Sequence, residues 1–343
     1  MLTFYAPGQR GVVMDDMASC PELTRDAVWI DVFSPTPDEE KELEAALATG
    51  IPTREEMQAI ELSSRLYEEN GILFLTATVL SKSASMQPES LAITFILTKQ
   101  KLVTLRYADP TPFAAFRARR EAHVDRYTTG YQVLGGLIDA IVERVADILE
   151  GAALNLDQLS ARVFDRPVAT SLRTTHNPLG RTPKGSARKA RQRDFVEILT
   201  LIGSSSDLVS RVRESIVSWV RLVTFFREVR KEEPAARETI VHSKAVLADL
   251  SSLSDHASFL SSKIGFLLDA TLGMINNEQN AIIKILSVAA LVFLPPTLVA
   301  GIYGMNFEVM PELKWAQGYP FALGLMLVAA VLPYLLFRRK GWL

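Results

Sequence analysis

Short apolar runs, separated by charged or turn-forming residues, fill the chain up to about residue 122. Residues 35–48 predict a helix with acidic side chains in its first turn, where the helix dipole favours them, and residues 52–56 predict another helix start. Runs rich in Val, Ile, Thr and Phe favour strands. Four such runs occur, at residues 29–33, 72–80, 91–97 and 102–107. The pattern predicts an α/β domain with a mostly central sheet over residues 1–127.

Long helical patterns replace the strands from residue 128 onwards. Residues 131–164 carry apolar side chains at helical spacing, and a second helix is predicted over 194–232, so residues 128–233 form a helical hairpin. The connection, residues 167–193, is rich in Lys and Arg and contains no acidic residue. The simpler interpretation is a solvated loop between the two helices. The alternative is a segment that binds an anionic partner, either lipid headgroups or nucleic acid.

A much longer helix begins at Pro234, a residue type suited to the first helical position. No proline interrupts residues 235–294. Apolar positions recur there at alternating steps of four and three, a heptad seam that buries itself against other helices. The seam comprises Val246, Leu250, Leu253, Ala257, Leu260, Ile264, Leu267, Thr271 and Met274. Such a seam would also help several subunits to assemble around one axis.

Two uncharged stretches, residues 285–307 and 318–337, are each long enough to cross a hydrocarbon core of about 30 Å. Arg338 and Arg339 follow the second stretch and Lys284 precedes the first, so the positive-inside rule places both chain ends in the cytoplasm. The absence of a signal-peptide pattern agrees with this orientation. The predicted parts are a stalk helix at 234–307 with its membrane span at about 285–303, an outer loop at 308–318, a second span at 319–338, and a tail at 339–343.

Composition and charge exclude several other classes of protein. The net charge of −2 gives no sign of nucleic-acid binding. The single cysteine, Cys20, excludes an intrachain disulfide and a thiolate cluster. The four histidines are widely scattered, and no convergent catalytic or zinc-binding set can be picked out. The sequence therefore predicts neither an enzyme nor a resident cofactor.

Small or polar residues form a stripe on the first span: Ser287, Ala290, Thr297 and Gly301. Such a stripe suits a pore wall and equally a helix-packing face. Two helices per chain cannot enclose a pore, so conduction requires several subunits around an axis. From these patterns alone, a channel and a membrane-anchored scaffold or signalling protein remain equally open.

The first span ends in Tyr303-Gly304-Met305-Asn306-Phe307. This Gly-Met-Asn motif, placed between two C-terminal spans, resembles the signature of the CorA family of magnesium transporters. Residues 293–295 and 300–302 of the first span and 310–313 of the outer loop are also similar to that family. In the N-terminal part, the similar stretches are residues 29–31, 52–56 and 94–98. The resemblance covers essentially the whole chain.

The resemblance implies a funnel-shaped homopentamer in the inner (plasma) membrane that conducts Mg²⁺, and with it Co²⁺ or Ni²⁺. Tyr303, Gly304, Met305 and Asn306 would form the outer entrance, beside Glu308 and Glu312 of the outer loop. Leu286 and Leu294 are the candidate gate, because apolar constrictions can close a pore by dewetting. The implied pore-lining residues, from outside inwards, are Gly301, Thr297, Leu294, Ala290, Leu286, Ile283 and Asn280.

The family's regulatory pattern matches this sequence less closely. Family members are commonly closed by magnesium bound between the cytoplasmic parts of neighbouring subunits through acidic side chains. Asp269 matches an aspartate near the membrane, but the stretch 243–245 lacks the aspartate expected there, which leaves Asp249 and Asp255 as substitutes. The alternative within the fold is a ZntB-like zinc transporter coupled to protons, and Met305 favours magnesium instead.

Overall fold

The computed structural model describes residues 1–14, 25–59, 61–82, 88–164, 184–305, 315 and 317–339, with the backbone alone at 62 and 184–194. The chain divides into two compact units, Met1–Leu268 and Asp269–Leu343. The division falls inside the long helix rather than at its start. The predicted α/β domain and helical hairpin therefore belong to one unit.

A seven-stranded sheet forms the centre of the first unit. Its order is β2-β1-β3-β7-β6-β5-β4, and β3 and β7 are parallel whereas the other pairs are antiparallel. The predictions of β3, β5, β6 and β7 are confirmed, and β1, β2 and β4 were not predicted. The strands are β1 Leu2–Tyr5, β2 Val12–Met14, β3 Trp29–Phe33, β4 Leu66–Glu69, β5 Ile72–Ser81, β6 Glu89–Leu97 and β7 Leu102–Arg106.

Short helices flank the sheet, and two of them begin with the same local device. In α1 (Pro37–Leu47) the Thr36 hydroxyl accepts from the Glu39 N–H, and the Glu39 carboxylate accepts from the Thr36 N–H. Thr53 and Glu56 form the same capping box at α2 (Arg54–Met57). The boxes satisfy backbone donors that a helix start leaves free, so these two predicted starts are confirmed. The remaining short helices are α3 Leu62–Arg65 and α4 Thr111–Ala122.

Four long helices make up the rest: α5 Gly130–Phe164, α6 Lys184–Val229, α7 Arg237–Tyr303 and α8 Gly318–Arg339. Pro234 begins a 3₁₀ turn, Pro234–Ala236, that leads into α7. The start of α6 lies ten residues before the predicted residue 194. The basic segment from Lys184 onwards is therefore helical, since Lys, Arg, Ala and Gln are good helix formers and no proline follows Pro183 there.

The heptad seam of α7 is buried within a single chain. Leu250, Ala257, Leu260 and Leu267 are each at most 1 % exposed. Along this part of α7, contacts reach α5: His242 bonds Asp139 at 2.7 Å, and the rings of Phe266 and Phe164 lie 5.8 Å apart. Seven of the nine seam positions are buried in the single chain, and Leu253 and Met274 are half-buried. The expectation that the seam helps subunits to assemble is therefore corrected for its buried positions. The periodicity had predicted that the face is buried, not which helix covers it.

The outer half of β5 is covered by a helix instead of a strand. The short β4 pairs only with Ile72 to Leu75, so β5 has an open edge beyond Leu75 on that side. At Thr78, side chains of α6 take the free backbone groups: Ser218 Oγ accepts from the N–H at 2.8 Å, and Ser215 Oγ and Trp219 Nε1 donate to the carbonyl at 2.6 and 2.9 Å. These bonds fix α6 to the sheet and remove an edge open to further pairing.

A buried ion pair joins the two parallel strands at the centre of the sheet. Arg106 donates to both carboxylate oxygens of Asp31, at 2.9 and 2.7 Å. The two side chains are only 4 % and 2 % exposed. Thr104 donates to the same carboxylate at 2.8 Å and accepts from Trp29 Nε1 at 3.0 Å. The pair is satisfied by several hydrogen bonds, as a buried charge pair requires.

Candidate functional site in the membrane-spanning helices

Two described helices, Pro234–Tyr303 with its leading turn and Gly318–Arg339, are long and apolar enough to cross a membrane. Their large side chains are little buried by the chain itself: Ile285 is 72 % exposed, Phe293 71 % and Leu327 67 %. An apolar surface this extensive marks contact with lipid or with other protein chains. Both helices are consistent with the predicted membrane hairpin.

The candidate pore-lining residues lie on one exposed face of α7. At about 100° per residue, all seven fall within an arc of about 120°. The two large gate candidates, Leu286 and Leu294, are 69 % and 68 % exposed in the single chain. This set, here called the pore face, consists of Asn280, Ile283, Leu286, Ala290, Leu294, Thr297 and Gly301, all of which are exposed.

The opposite face of the same span is partly covered. The half-buried residues between 288 and 303 lie within an arc centred roughly opposite the pore face. They are Val288, Ala289, Leu291, Val292, Pro295, Pro296, Val299 and Tyr303. The pore face is the side of the span that the described residues of this chain leave exposed.

The two hydroxyl groups of the stripe on α7 bond to the helix backbone. Ser287 Oγ donates to the Ile283 carbonyl at 2.7 Å, and Thr297 Oγ1 donates to the carbonyl of Phe293. A hydroxyl that donates in this way keeps lone pairs free to accept from water. The helix continues through Pro295 and Pro296, which stand on the covered side and not on the pore face.

The signature begins where α7 ends. The Gly304 N–H donates to the Ala300 carbonyl at 2.9 Å and the Met305 N–H to the Ile302 carbonyl at 3.2 Å, which tightens the last turn. A Cβ on Gly304 would lie 3.1 Å from the Ala300 carbonyl oxygen, so glycine suits this turn. The negative end of the helix dipole lies at this point and favours a cation. The predicted residues Asn306, Glu308 and Glu312 lie outside the described residues.

Among the described residues, the candidate regulatory aspartates are not gathered into a metal site. Asp249, Asp255 and Asp269 are all exposed on α7. Within the part of the chain that the structure describes, no three His, Cys, Asp or Glu side chains come together as ligands for a metal ion. His242 and Asp139 bond each other at 2.7 Å, but they also lack a third ligand there.

Comparisons with known proteins find similarity over most of the chain. The family model described as CorA-like Mg²⁺ transporter protein matches residues 25–180 and 192–339. The chain is 34 % identical to the magnesium transport protein CorA of Salmonella typhimurium over 320 residues, which covers 93 % of this chain and 92 % of that protein. Among solved structures, the complete CorA magnesium transporter from Methanocaldococcus jannaschii superposes with a TM-score of 0.71 at 16 % identity, over 100 % of this chain and 99 % of that one.

A more distant likeness concerns the zinc alternative. The cytoplasmic domain of ZntB from Vibrio parahaemolyticus superposes with a TM-score of 0.50 at 10 % identity, over 73 % of this chain and 88 % of that domain. At this identity the match shows a shared fold and does not favour zinc as the transported ion.

Proposed function

The chain belongs to the family of CorA-like Mg²⁺ transporter proteins, and we propose that it forms a homopentameric channel for hydrated divalent cations. Mg²⁺ is the proposed main ion, with Co²⁺ and Ni²⁺ as further substrates. The proposed location is the inner membrane, with both chain ends in the cytoplasm as the positive-inside rule predicts. The proposed activity is transport and not catalysis, in keeping with a family of transporters.

The observation that carries this proposal is the exposed pore face of α7. In the single chain its small, polar and medium-sized apolar side chains are all exposed, opposite the face that is half-buried. Two spans cannot enclose a path for ions, so several copies arranged around an axis are needed. Placing the pore face toward that axis leaves the second span, α8, on the outside against lipid.

The chemistry of the entrance suits an ion that keeps its water. Mg²⁺ sheds its octahedral water shell reluctantly. The neutral amide oxygens of an Asn306 ring can accept hydrogen bonds from those waters without replacing them. No carboxylate occurs between Lys284 and Asn306, so nothing there would bind a divalent ion tightly and slow its exit. The C-terminal dipole ends of the α7 helices add a weak attraction for cations.

The membrane potential can supply the driving force. An ion of charge +2 gains about 4.6 kcal/mol in crossing 100 mV, which is twice the value for a single charge. Rings of Leu286 and Leu294 would close the path by dewetting when the pore face narrows. Control by cytoplasmic Mg²⁺ through Asp249, Asp255 or Asp269 is proposed to use carboxylates from a neighbouring copy, because the described part of one chain brings no third ligand to these side chains.

Cysteine accessibility tests the assignment of the pore face. Cys20 is the only cysteine, so a Cys20→Ser chain provides a background without thiols. With Ala290→Cys or Thr297→Cys in that background, a charged methanethiosulfonate reagent is expected to block most ion flux, because the modified side chain fills a water-filled path. The measurement is Mg²⁺ uptake into proteoliposomes before and after the reagent.

Val292→Cys and Val299→Cys are the matched controls, since they lie on the same helix at the half-buried face. Flux through these two variants is expected to remain within about twofold of its starting value. Block at the two valines with no block at Ala290 and Thr297 would place the pore on the other face of α7. Equal block at all four positions would contradict a single lining face.

A further inference from the structure

A cavity of about 540 Å³ opens in the first unit, between the uncovered edge of β5 and helix α6. It lies where β4 is too short to pair with the outer half of β5 and where side chains of α6 bond to the free backbone groups of Thr78. Volumes of about 300–1,000 Å³ are typical of small-molecule sites. None of the side chains described for its wall is aromatic.

The wall of this cavity is strongly basic. Arg65 reaches it from the end of α3, and Arg213 and Arg221 reach it from α6. The lining holds a single carboxylate, Glu214, which forms no ion pair with these arginines among the described residues. Three guanidinium groups around one carboxylate give a net positive site, which repels a metal cation and attracts an anion.

Arg65 is the central group of the cavity. Its Nη2 donates to Thr78 Oγ1 at 2.9 Å, which holds the guanidinium against the sheet edge. Burial lowers the pKa of Arg65, the Glu214 carboxylate opposes that effect, and the Arg221 guanidinium adds to it. Arg65 is a half-buried cation next to a second cation, and no carboxylate in the described part of the chain is bonded to it. A bound anion would stabilise such a group.

Two of the lining residues also hold a buried polar atom that the described residues leave unpaired. Arg65 Nε and Ser90 Oγ are buried without a hydrogen-bond partner among the described residues. Gln58 and Ser210 contribute further polar groups to the lining. Buried polar groups of this kind are ordinarily paired with protein, water or a ligand.

We propose that this cavity binds a small phosphate-bearing anion in the cytoplasmic part of the protein. Guanidinium groups and hydroxyls are the usual partners of phosphate oxygens. Arg213 and Arg221 are eight residues apart on α6, a rise of about 12 Å, and Arg65 faces them from another element. Three cations spread in this way fit a diphosphate better than a single phosphate. The missing aromatic side chain argues against a site built to stack a nucleobase.

Isothermal titration of the full-length protein in detergent tests this proposal. Inorganic pyrophosphate and inorganic phosphate serve as probes, in metal-free buffer with chloride keeping the ionic strength constant. One saturable site per chain is expected, with pyrophosphate bound more tightly than phosphate. Arg65→Gln and Arg221→Gln are each expected to weaken pyrophosphate binding about tenfold, because each removes one charged hydrogen-bonding partner.

Arg211→Gln is the matched control. Arg211 lies on the same helix, pairs with Asp207 at 2.8 Å and does not line the cavity. Its replacement removes the same charge and is expected to leave the affinity unchanged. Circular dichroism would detect a folding defect in Arg65→Gln. In that case the test rests on Arg221→Gln, because Arg221 is exposed and its replacement should not disturb the fold. No saturable binding, or the same affinity in Arg211→Gln and Arg221→Gln, would overturn the proposal. Because the titration contains no Mg²⁺ and needs no transport, its result is independent of the proposed channel function.

Discussion

Replacing Asn306 by alanine is expected to reduce Mg²⁺ uptake to the level of empty liposomes, a loss of more than about tenfold. The physical reason is that the alanine ring offers no oxygen to the water shell of an arriving ion, and Mg²⁺ cannot lose that shell cheaply. The rate of uptake, followed with a magnesium-sensitive dye inside proteoliposomes, measures the effect. Size-exclusion chromatography of the same preparation shows whether the assembly is intact.

Asn277→Ala is the matched control for this substitution. Asn277 is an exposed asparagine on α7, before the first span, and at about 100° per residue it lies outside the arc of the pore face. Its loss is expected to change uptake by less than about twofold. Normal uptake by an assembled Asn306→Ala protein would show that the entrance is formed by other residues.

Replacing Arg106 by glutamine is expected to destabilise the first unit by about 3–5 kcal/mol, because it leaves the Asp31 carboxylate buried with its main cationic partner gone. Thr104 would still donate to that carboxylate at 2.8 Å, and Arg117 lies 3.5 Å from it, but neither replaces the two-bond pairing. The measurement is thermal unfolding of the detergent-solubilised protein, followed by fluorescence of the buried Trp29 and Trp219. A fall of about 10 °C in the midpoint corresponds to this loss.

Arg119→Gln provides the comparison, since the Arg119–Glu143 ion pair is largely exposed. An exposed pair contributes at most about 1 kcal/mol to stability, so the unfolding midpoint of Arg119→Gln should fall by no more than about 2–4 °C. The double variant Asp31→Asn, Arg106→Gln should recover part of the stability, because no unpaired charge stays buried. Equal falls for Arg106→Gln and Arg119→Gln would mean that the buried pair has no special role.

The elements with the clearest local signals could be predicted from sequence. The run Trp29–Phe33 is apolar except for Asp31, and the structure forms β3 over those same residues. The strands β1 and β4 are only four residues long, and what makes them strands is pairing: Leu2 lies opposite Val32, and Leu66 opposite Leu75. Leu2 and Val32 lie 30 residues apart, so no local pattern marks β1. The Asn70-Gly71 turn between β4 and β5 is a local hairpin signal, and β4 was missed because the strand itself is so short.

Periodicity predicted which faces of the long helix matter, but not their partners. Leu250 and Leu260 were predicted to be buried, and they are, although within one chain and not between subunits. The pore face was inferred from the family resemblance, and its residues share one exposed side of α7. Their role in conduction remains a prediction, as does that of Asn306.

The basic cavity had no signal in the sequence. Arg65 and Arg221 are separated by most of the α/β domain and by α5, and each alone is an ordinary surface cation. They line one space only because β4 ends early and α6 bonds to Thr78. Sites of this kind depend on the tertiary fold and cannot be found from residue spacing.

Potential-driven ion uptake by the unmodified protein tests the central proposal most directly. Proteoliposomes holding a magnesium-sensitive dye receive an inside-negative potential, and Mg²⁺ is added outside without a proton gradient. The predicted result is Mg²⁺ influx that rises with the imposed potential and stops when the potential is collapsed. Absence of Mg²⁺ flux together with Zn²⁺ flux that requires a proton gradient would contradict a magnesium channel, and silence with every ion in folded oligomers would contradict conduction altogether.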